Sequence, residues 1–344
     1  MADGKCICTV RGSINHDEYF HVQHIVRPGE TLSSRGHESR VGGKGANQAV
    51  AIARAGGSVR FYGSIGQDGT WIKDRMESYG IDVGGILIAD EPTGRAIIQV
   101  DEEGENSIIL FPGANYSELH EKTFTQQGDG WFPNTTHLLL QNEIPLRSTY
   151  YALQNAKNAT VIMNPSPLPS AAEIRDFPWG KVDWLIVNEA EARELYQATA
   201  GSRAKAPGSL STRELVFLLS AEPSFSTTNI VCTLGGDGVL VFVPRFHRPK
   251  TEHEAPSFLY LPAAKLLGDV RDTTGAGDCF TGYFVQGLME LGANAEVGNH
   301  INEHDIAQIL KTCVHAAGMC VEQKGTIDSI PTRAQVEERM SLRS

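Results

Sequence analysis

Asp278 closes the stretch Asp272-Thr273-Thr274-Gly275-Ala276-Gly277-Asp278, and the residue types there suit one kind of chemistry. Gly275 and Gly277 let the backbone turn tightly. Behind them Phe280, Phe284, Leu288 and Leu291 recur at helical spacing, which predicts a buried-face helix ending at Gly292. A turn that opens a helix aims several unpaired N–H groups at one point, backed by the positive end of the helix dipole. The amides of Gly275, Ala276, Gly277 and Asp278 would there hold an anion. Asp278 adds a carboxylate able to take a proton from an incoming hydroxyl. An anion cradle beside a base is what phosphoryl transfer to an alcohol requires.

By itself this stretch also reads as a loop followed by an acidic first helical turn. A second glycine-rich turn, Gly42-Gly43-Lys44-Gly45-Ala46-Asn47, also opens a helix, stopped at Gly56-Gly57. The two turns together resemble the paired signatures of the ribokinase-like (PfkB) sugar and nucleoside kinases. The likeness runs from about Val10 to Pro331. It implies transfer of the γ-phosphate of ATP to a sugar hydroxyl, with Asp278 as the base. Around the sugar it implies Asn15 and Asp17, then Gly43, Lys44 and Asn47, with Glu143 of Gln141-Asn142-Glu143 as a further candidate. Asp17 suits a diol, because an ionised carboxylate accepts from two neighbouring hydroxyls. The fingerprints Gly12-Ser13-Ile14-Asn15-His16-Asp17, Gly42 to Ala49 and Asn164-Pro165-Ser166-Pro167 lean, within that family, toward members acting on the 5-hydroxyl of D-ribose.

On the nucleotide side, Asn188-Glu189-Ala190-Glu191 matches the family's Asn-x-x-Glu element. The resemblance puts Asn188 near the phosphates and makes Glu191 an organiser of Mg²⁺ through its waters; read alone, the same residues are a helix N-cap with solvated glutamates. Thr233, Gly235, Gly236 and Gly238 would lie over the nucleotide with Gly277, and the adenine would meet Val314 or its neighbour His315. Asp272 and Thr274, with Cys320, Gln323, Gly325 and Ser329, would surround a K⁺ ion.

The elements that must position these groups follow from periodicity. Ile7 to Val10 reads as a strand ending in the Gly12 to Asp17 turn, and Val59 to Tyr62 as another. Asp68 to Trp71 starts a helix with Ile72 and Met76 inward. Gly94 to Val100 and Asn106 to Phe111 form a hairpin, which no parallel βαβ unit can contain. From Leu138 on, strands and helices alternate: Leu138 to Leu140, Tyr150 to Asn158, Val161 to Met163, Trp184 to Val187, Glu189 to Gln197. Ile230 to Leu234 and Val239 to Val243 form a second hairpin. Ala198 to Thr212, Ala221 to Thr228 and Pro244 to Pro256 read as surface loops. The expected fold is α/β: one domain over residues 1–344, a doubly wound, mostly parallel sheet flanked by helices. The hairpin over Gly94 to Phe111 is apolar enough to need cover, over the mouth of a site or against a partner chain. The resemblance implies a small β-sheet lid near 15–40 and 93–115 that closes on substrate and excludes water. The resemblance adds a homodimer paired through that lid.

Composition removes other classes. The net charge of −11 argues against a nucleic-acid partner. No apolar run approaches the ~18 residues of a membrane span, and the start Met1 to Lys5 lacks a secretory core. A cytoplasmic protein, or one also reaching the nucleus, is expected. The six cysteines form no Cys-x-x-Cys pair, so buried thiols are expected rather than a disulfide framework. A kinase for another sugar or a nucleoside shares every phosphate-side motif. A non-catalytic sugar sensor on the same scaffold is the rival from another class. A dinucleotide enzyme would need Gly-x-Gly-x-x-Gly after its first strand, which is missing.

Overall fold

Runs such as Leu138-Leu139-Leu140 and Ile230-Val231-Cys232 are fully buried because they become inner strands of a nine-stranded sheet. A computed structural model describes residues 6–119, 132–206, 208–251, 253–294 and 301–342. The strands are β1 (Ile7–Arg11), β2 (Asn15–His21), β3 (Gly36–Gly42), β4 (Ser58–Gly66), β5 (Asp82–Ala89), β6 (Gly94–Val100) and β7 (Asn106–Phe111). Then follow β8 (His137–Leu140), β9 (Thr160–Met163), β10 (Trp184–Asn188), β11 (Asn229–Thr233), β12 (Val239–Phe242) and β13 (Leu259–Leu261). The large sheet runs β13-β12-β11-β10-β9-β8-β1-β4-β5, parallel except where β12 and β13 fold back at one edge.

The helices are α1 (Lys44–Arg54), α2 (Thr70–Ser78), α3 (Leu146–Asn155), α4 (Ala171–Asp176) and α5 (Glu189–Ala200). Beyond them lie α6 (Thr212–Ala221), α7 (Pro244–His247), α8 (Ala276–Asn294), α9 (Glu303–Val321) and α10 (Arg333–Ser341). Successive strand residues point to opposite faces, and this splits the core in two. Val10, Leu139, Ile186 and Val231 pack with α1, α8 and α9. Leu138, Leu140, Leu185 and Ile230 pack with α3 to α6 on the other face. This is the doubly wound arrangement the alternation predicts.

The second sheet has four strands in the order β3-β2-β6-β7, antiparallel except for the β2–β6 pair. The hairpin over Gly94 to Phe111 is there. Asn15 to Asp17, expected in a turn after β1, instead open strand β2 and pair with Gly94 to Ala96. The chain needs only Gly12 to Ile14 to leave one sheet for the other.

Four further boundaries differ. Helix α8 continues through Gly292 to Asn294. Its glycines serve packing rather than termination: a Cβ on Gly282 would lie 2.3 Å from the Ala51 Cβ of α1. Helix α3 begins at Leu146, directly after Pro145, ahead of the expected Tyr150. Part of Pro244 to Pro256 is not a solvated loop. It holds α7, whose His247 is buried, accepts from Val243 N–H through Nδ1 and meets Glu303 at 3.2 Å. The stretch after Ala198 stays helical to Ala200, and the loop ends where Ser211 and Glu214 form a capping box for α6. Of the cysteines, Cys6 is partly exposed and the other five are buried and unpaired.

Candidate active site

The two glycine-rich turns meet because two helices pack unusually closely. Without a side chain at Gly282, α8 lies against Ala51 and the Gln48 carbonyl of α1. Gly45, whose Cβ would fall 2.6 Å from the Ser13 amide, seats the start of α1 on the end of β1. Asp278, one turn ahead of Gly282, therefore faces Asn47 and Gln48. Asn47 Nδ2 donates to Asp278 Oδ2 at 2.9 Å, and Gln48 Nε2 donates to Oδ1 at 2.8 Å. Residues 231 and 230 positions apart are thus in direct contact. Asp278 is buried, at 6% exposure, yet both its oxygens are engaged.

Beside it lies a cluster of carboxylates, Asp17 and Glu143. Asp17 is buried, and desolvation, with Glu143 and Asp278 nearby, pushes its pKa up to about 7 against the partial pull of Arg40. Its Oδ1 is buried with no hydrogen-bond partner, as is Oδ1 of Asn47. Glu143 accepts from Ser13 Oγ at 2.6 Å and from the Lys44 amide at 2.9 Å. Burial still raises its pKa, chiefly by desolvation. The Lys44 ammonium is held above its ordinary pKa, first by Asp278 and then by Glu143 and Glu191. It is therefore a cation of this carboxylate cluster, half-buried rather than a solvated surface lysine. Asn15 is oriented by Asn115, whose Nδ2 donates to Asn15 Oδ1 at 2.8 Å and to the Ile14 carbonyl at 3.0 Å.

Gly42 packs flat against Asp17, where a Cβ would lie 2.0 Å from its carboxylate. Gly43 follows at φ 88, a conformation L side chains rarely adopt. Gly42→Ala is expected to displace Asp17 and raise the Michaelis constant for the acceptor by about tenfold or more, leaving nucleotide binding intact. Parallel titrations of acceptor and nucleotide check this. Equal losses for both ligands would mean general misfolding instead.

At the start of α8 the turn is partly exposed, although Ala276 N–H, expected to be unpaired, donates to the Thr273 carbonyl at 3.3 Å. Gly277 is exposed, with nothing within 4 Å of where its Cβ would be, and Gly275 takes φ +80 against Thr326. The Asp272 carboxylate braces the turn, accepting from Thr274 N–H at 2.9 Å and from Gly325 N–H at 3.0 Å. Arg271 and Asp272 also donate to the Val321 carbonyl, so the 271–275 and 321–326 segments lie side by side. Arg40 of β3 crowds Gly325, and Thr326 Oγ1 reaches the Val41 carbonyl at 3.4 Å. The small sheet, the 325–326 turn and the anion cradle are thus in contact. Cys320 Sγ and Ser329 Oγ are buried 2.9 Å apart, and Gln323 N–H returns to the Cys320 carbonyl at 3.1 Å.

Asn188 and Glu191 form a reciprocal capping box at 2.9 and 2.8 Å, so the N-cap reading holds geometrically. Thr233 lies beside Asn188 in register, and its hydroxyl reaches the Val187 carbonyl at 3.4 Å. Gly235 and Gly236 are exposed on the hairpin rim, while Gly238, at φ +101, is buried against Leu261 and Ala263. On α9, Val314 is a core residue, whereas His315 is partly exposed with Nδ1 at 2.7 Å from the Lys311 carbonyl.

Sequence reasoning missed several participants. Gln48 stood inside the quoted Gly42 to Ala49 run without a role, and Ser13 stood inside the Gly12 to Asp17 fingerprint. Asn115 had no signal at all: it follows β7 in an unremarkable turn, and only the fold carries it to Asn15.

A family model described as pfkB family carbohydrate kinase matches residues 8–333. The ribokinase of Haemophilus influenzae is 34% identical over 335 residues, covering 96% of this chain and 97% of that one. Among solved structures, the ribokinase of Cryptococcus neoformans var. grubii serotype A in complex with ADP superposes with TM-score 0.79 at 44% identity, covering 97% of this chain and all of that one (100%). The Arabidopsis thaliana ribokinase complexed with ribose and ATP gives TM-score 0.74 at 25% identity, covering 97% and 98%.

Proposed function

The chain belongs to the pfkB family of carbohydrate kinases, and from that premise we propose that it transfers the γ-phosphate of ATP to the 5-hydroxyl of D-ribose, giving ribose 5-phosphate and ADP. The observation carrying this reading is the pair of buried, unpartnered oxygens, Asp17 Oδ1 and Asn47 Oδ1, beside the Asp278 carboxylate. Buried polar atoms without partners are costly. Sugar hydroxyls would satisfy both.

In this reading Asp17, Asn15, Asn47 and Glu143 hold the sugar with one primary hydroxyl at Asp278. As that oxygen bonds phosphorus, its proton passes to Asp278 and the bond from phosphorus to the ADP oxygen breaks. Lys44 and the Gly275 and Gly277 amides meet the negative charge on the transferred group, and Ala276 N–H, which donates to the Thr273 carbonyl at 3.3 Å, joins them only by turning from it. Losing one such preorganised donor costs ~2.7–4 kcal/mol in other enzymes. Asn188, Thr233 and the Gly235–Gly238 turn lie along the nucleotide, with Val314 or His315 toward the adenine.

The donor sets suit both cations. One Glu191 oxygen is taken by the capping box, so the other would meet the water shell of Mg²⁺, which needs few direct ligands. When bound, Mg²⁺ supplies charge neutralisation at the phosphates. In this reading the carbonyls of Asp272, Thr274, Cys320, Gln323 and Gly325, with Ser329, would surround K⁺ where the 271–275 and 321–326 segments run side by side. That is an oxygen-rich lining suited to K⁺, which would stiffen the anion turn.

The same reading makes the small sheet a lid and a dimer surface. On edge strand β7, Ile109 is 58% and Leu110 60% exposed, an apolar edge that needs covering. Ile109→Lys is expected to turn a sedimenting dimer into a monomer; a wild-type chain that sediments as a monomer would refute the pairing. Among the described residues no helix is long and apolar enough to cross a membrane, consistent with a cytoplasmic enzyme.

A nucleoside acceptor is the second reading. The sequence offers no aromatic platform beside Asn15 to Asp17, but the structure exposes Tyr116 (54%) next to Asn115, within the field of Glu143. The test is ADP release with a pentose, hexose and nucleoside panel, with and without potassium. Fastest turnover on D-ribose supports the proposal. Turnover only on nucleosides shifts it to the second reading, and sugar binding without ADP release means a sensor.

A further inference from the structure

We propose that Gln48 is a positioning residue for the base, tying Asp278 to the carboxyl ends of three neighbouring sheet strands. The inference rests on the kinase reading above. Gln48 is fully buried on α1, with both amide hydrogens and its oxygen engaged by protein. Nε2 donates to Asp278 Oδ1 at 2.8 Å and to Asn164 Oδ1 at 2.9 Å, while Oε1 accepts from Gln141 Nε2 at 2.7 Å. Gln141 follows β8, Asn164 follows β9, and Asn164 Nδ2 donates to the Ile186 carbonyl of β10 at 2.9 Å.

The direction of every bond in this chain is fixed. The Ile186 carbonyl can only accept, so Asn164 must turn its amide nitrogen there and present its oxygen to Gln48. A carboxylate also only accepts. Gln48 must therefore point its nitrogen at both, and flipping its amide would set oxygen against two acceptors. Asn47 differs: its Nδ2 holds the other Asp278 oxygen, but its own Oδ1 is buried and unpartnered, available to a ligand. The two neighbours divide the work. Asn47 faces the substrate, and Gln48, with both amide hydrogens given to protein and its oxygen held by Gln141, fixes which lone pair of Asp278 Oδ1 faces the acceptor hydroxyl. Misplacing a reacting group by about 1 Å can cost ~100-fold in rate. The signature of this role is a loss in kcat with substrate binding untouched.

The experiment compares wild type, Gln48→Met, Gln48→Glu, Asn164→Ala and the double variant Gln48→Met/Asn164→Ala, by ADP release and thermal denaturation with and without D-ribose. Gln48→Met should lower kcat by about 10- to 100-fold while KM for ribose and ATP stays within about threefold. Gln48→Glu, which sets a second carboxylate against Asp278, should lose at least as much. Asn164→Ala should lose about 3- to 10-fold, and the double variant should be no slower than Gln48→Met, because both act through one bond. Gln48→Met with kcat within about twofold of wild type, a loss confined to KM, or a double variant equal to the product of the singles would overturn the inference. If Gln48→Met does not fold, Asn164→Ala decides: an unchanged kcat overturns the role, and a loss in kcat alone supports it. A wild-type chain that binds ribose without turnover overturns the kinase reading and this inference with it, which sets that failure apart from the others.

Discussion

Asp278→Asn is expected to keep the fold and the sugar affinity and to lose kcat by about 10²- to 10⁴-fold, the range that removal of a general base produces. The amide retains one acceptor oxygen and nearly the same shape. Its oxygen can still receive Gln48 while its nitrogen meets the Asn47 amide, one donor–donor contact set against the whole close packing of α1 on α8 at Gly282, which holds. It cannot take the hydroxyl proton. Ribose titration by calorimetry should give a dissociation constant within about threefold of wild type, whereas single-turnover phosphorylation should nearly vanish. A variant turning over at the wild-type rate would remove Asp278 from its role and leave the anion cradle to do the chemistry alone.

Asp17→Asn is expected to stabilise the ligand-free protein at alkaline pH and to weaken sugar binding. Burial lifts the Asp17 pKa from the ordinary 3.8 to about 7, so the folded state binds this proton more tightly than the unfolded chain does. The sign follows from that. Below pH 3.8 the group is protonated in both states and costs nothing. Between 3.8 and about 7 the folded state increasingly forgoes the favourable ionisation that the unfolded chain enjoys, and above about 7 the cost is complete. It is at most on the order of 4 kcal/mol. Urea denaturation at pH 8 should thus find Asp17→Asn more stable by about 1–4 kcal/mol, and at pH 4 the two proteins should nearly agree. The same substitution should weaken ribose binding by ~100-fold or more, since hydrogen bonds to an ionised carboxylate contribute about 1.5–3 kcal/mol each. In the wild type, ribose should bind less tightly as pH falls below 7, because hydroxyl donors favour the ionised form. A variant no more stable than wild type at pH 8 would show that Asp17 is not desolvated, and the carboxylate cluster would lose its place in sugar recognition.

The conflict between these two effects is the ordinary trade at a binding site. Gly42 lets the backbone lie against Asp17, and Glu143 and Asp278 add like charge nearby, so ionised Asp17 costs stability that a ligand rich in hydroxyls would offset.

The local sequence determined everything that depends on near neighbours. Period-two and helical spacing marked the strands and the faces of α1 and α8, down to Phe280, Phe284 and Leu288 in the core. The glycine turns were legible because few residues other than glycine tolerate such backbone, as at Gly43 and Gly275. Boundaries slipped where a local stop signal did not act: Gly292 is a good terminator by itself, yet α8 runs on to Asn294 although Gly292 and Ala293 are exposed. His247, expected in solvent, is buried because Glu303, 56 positions away, gives it a partner. Only the tertiary structure decided which polar side chains share a site. A hydrogen bond such as Asn115 to Asn15, or Gln48 to Asp278, joins residues 100 and 230 positions apart and leaves no periodic trace in the chain. Their contact depends on the close approach of two helices at Gly282 and on a strand that leaves one sheet to begin another, and neither is a property of any single segment.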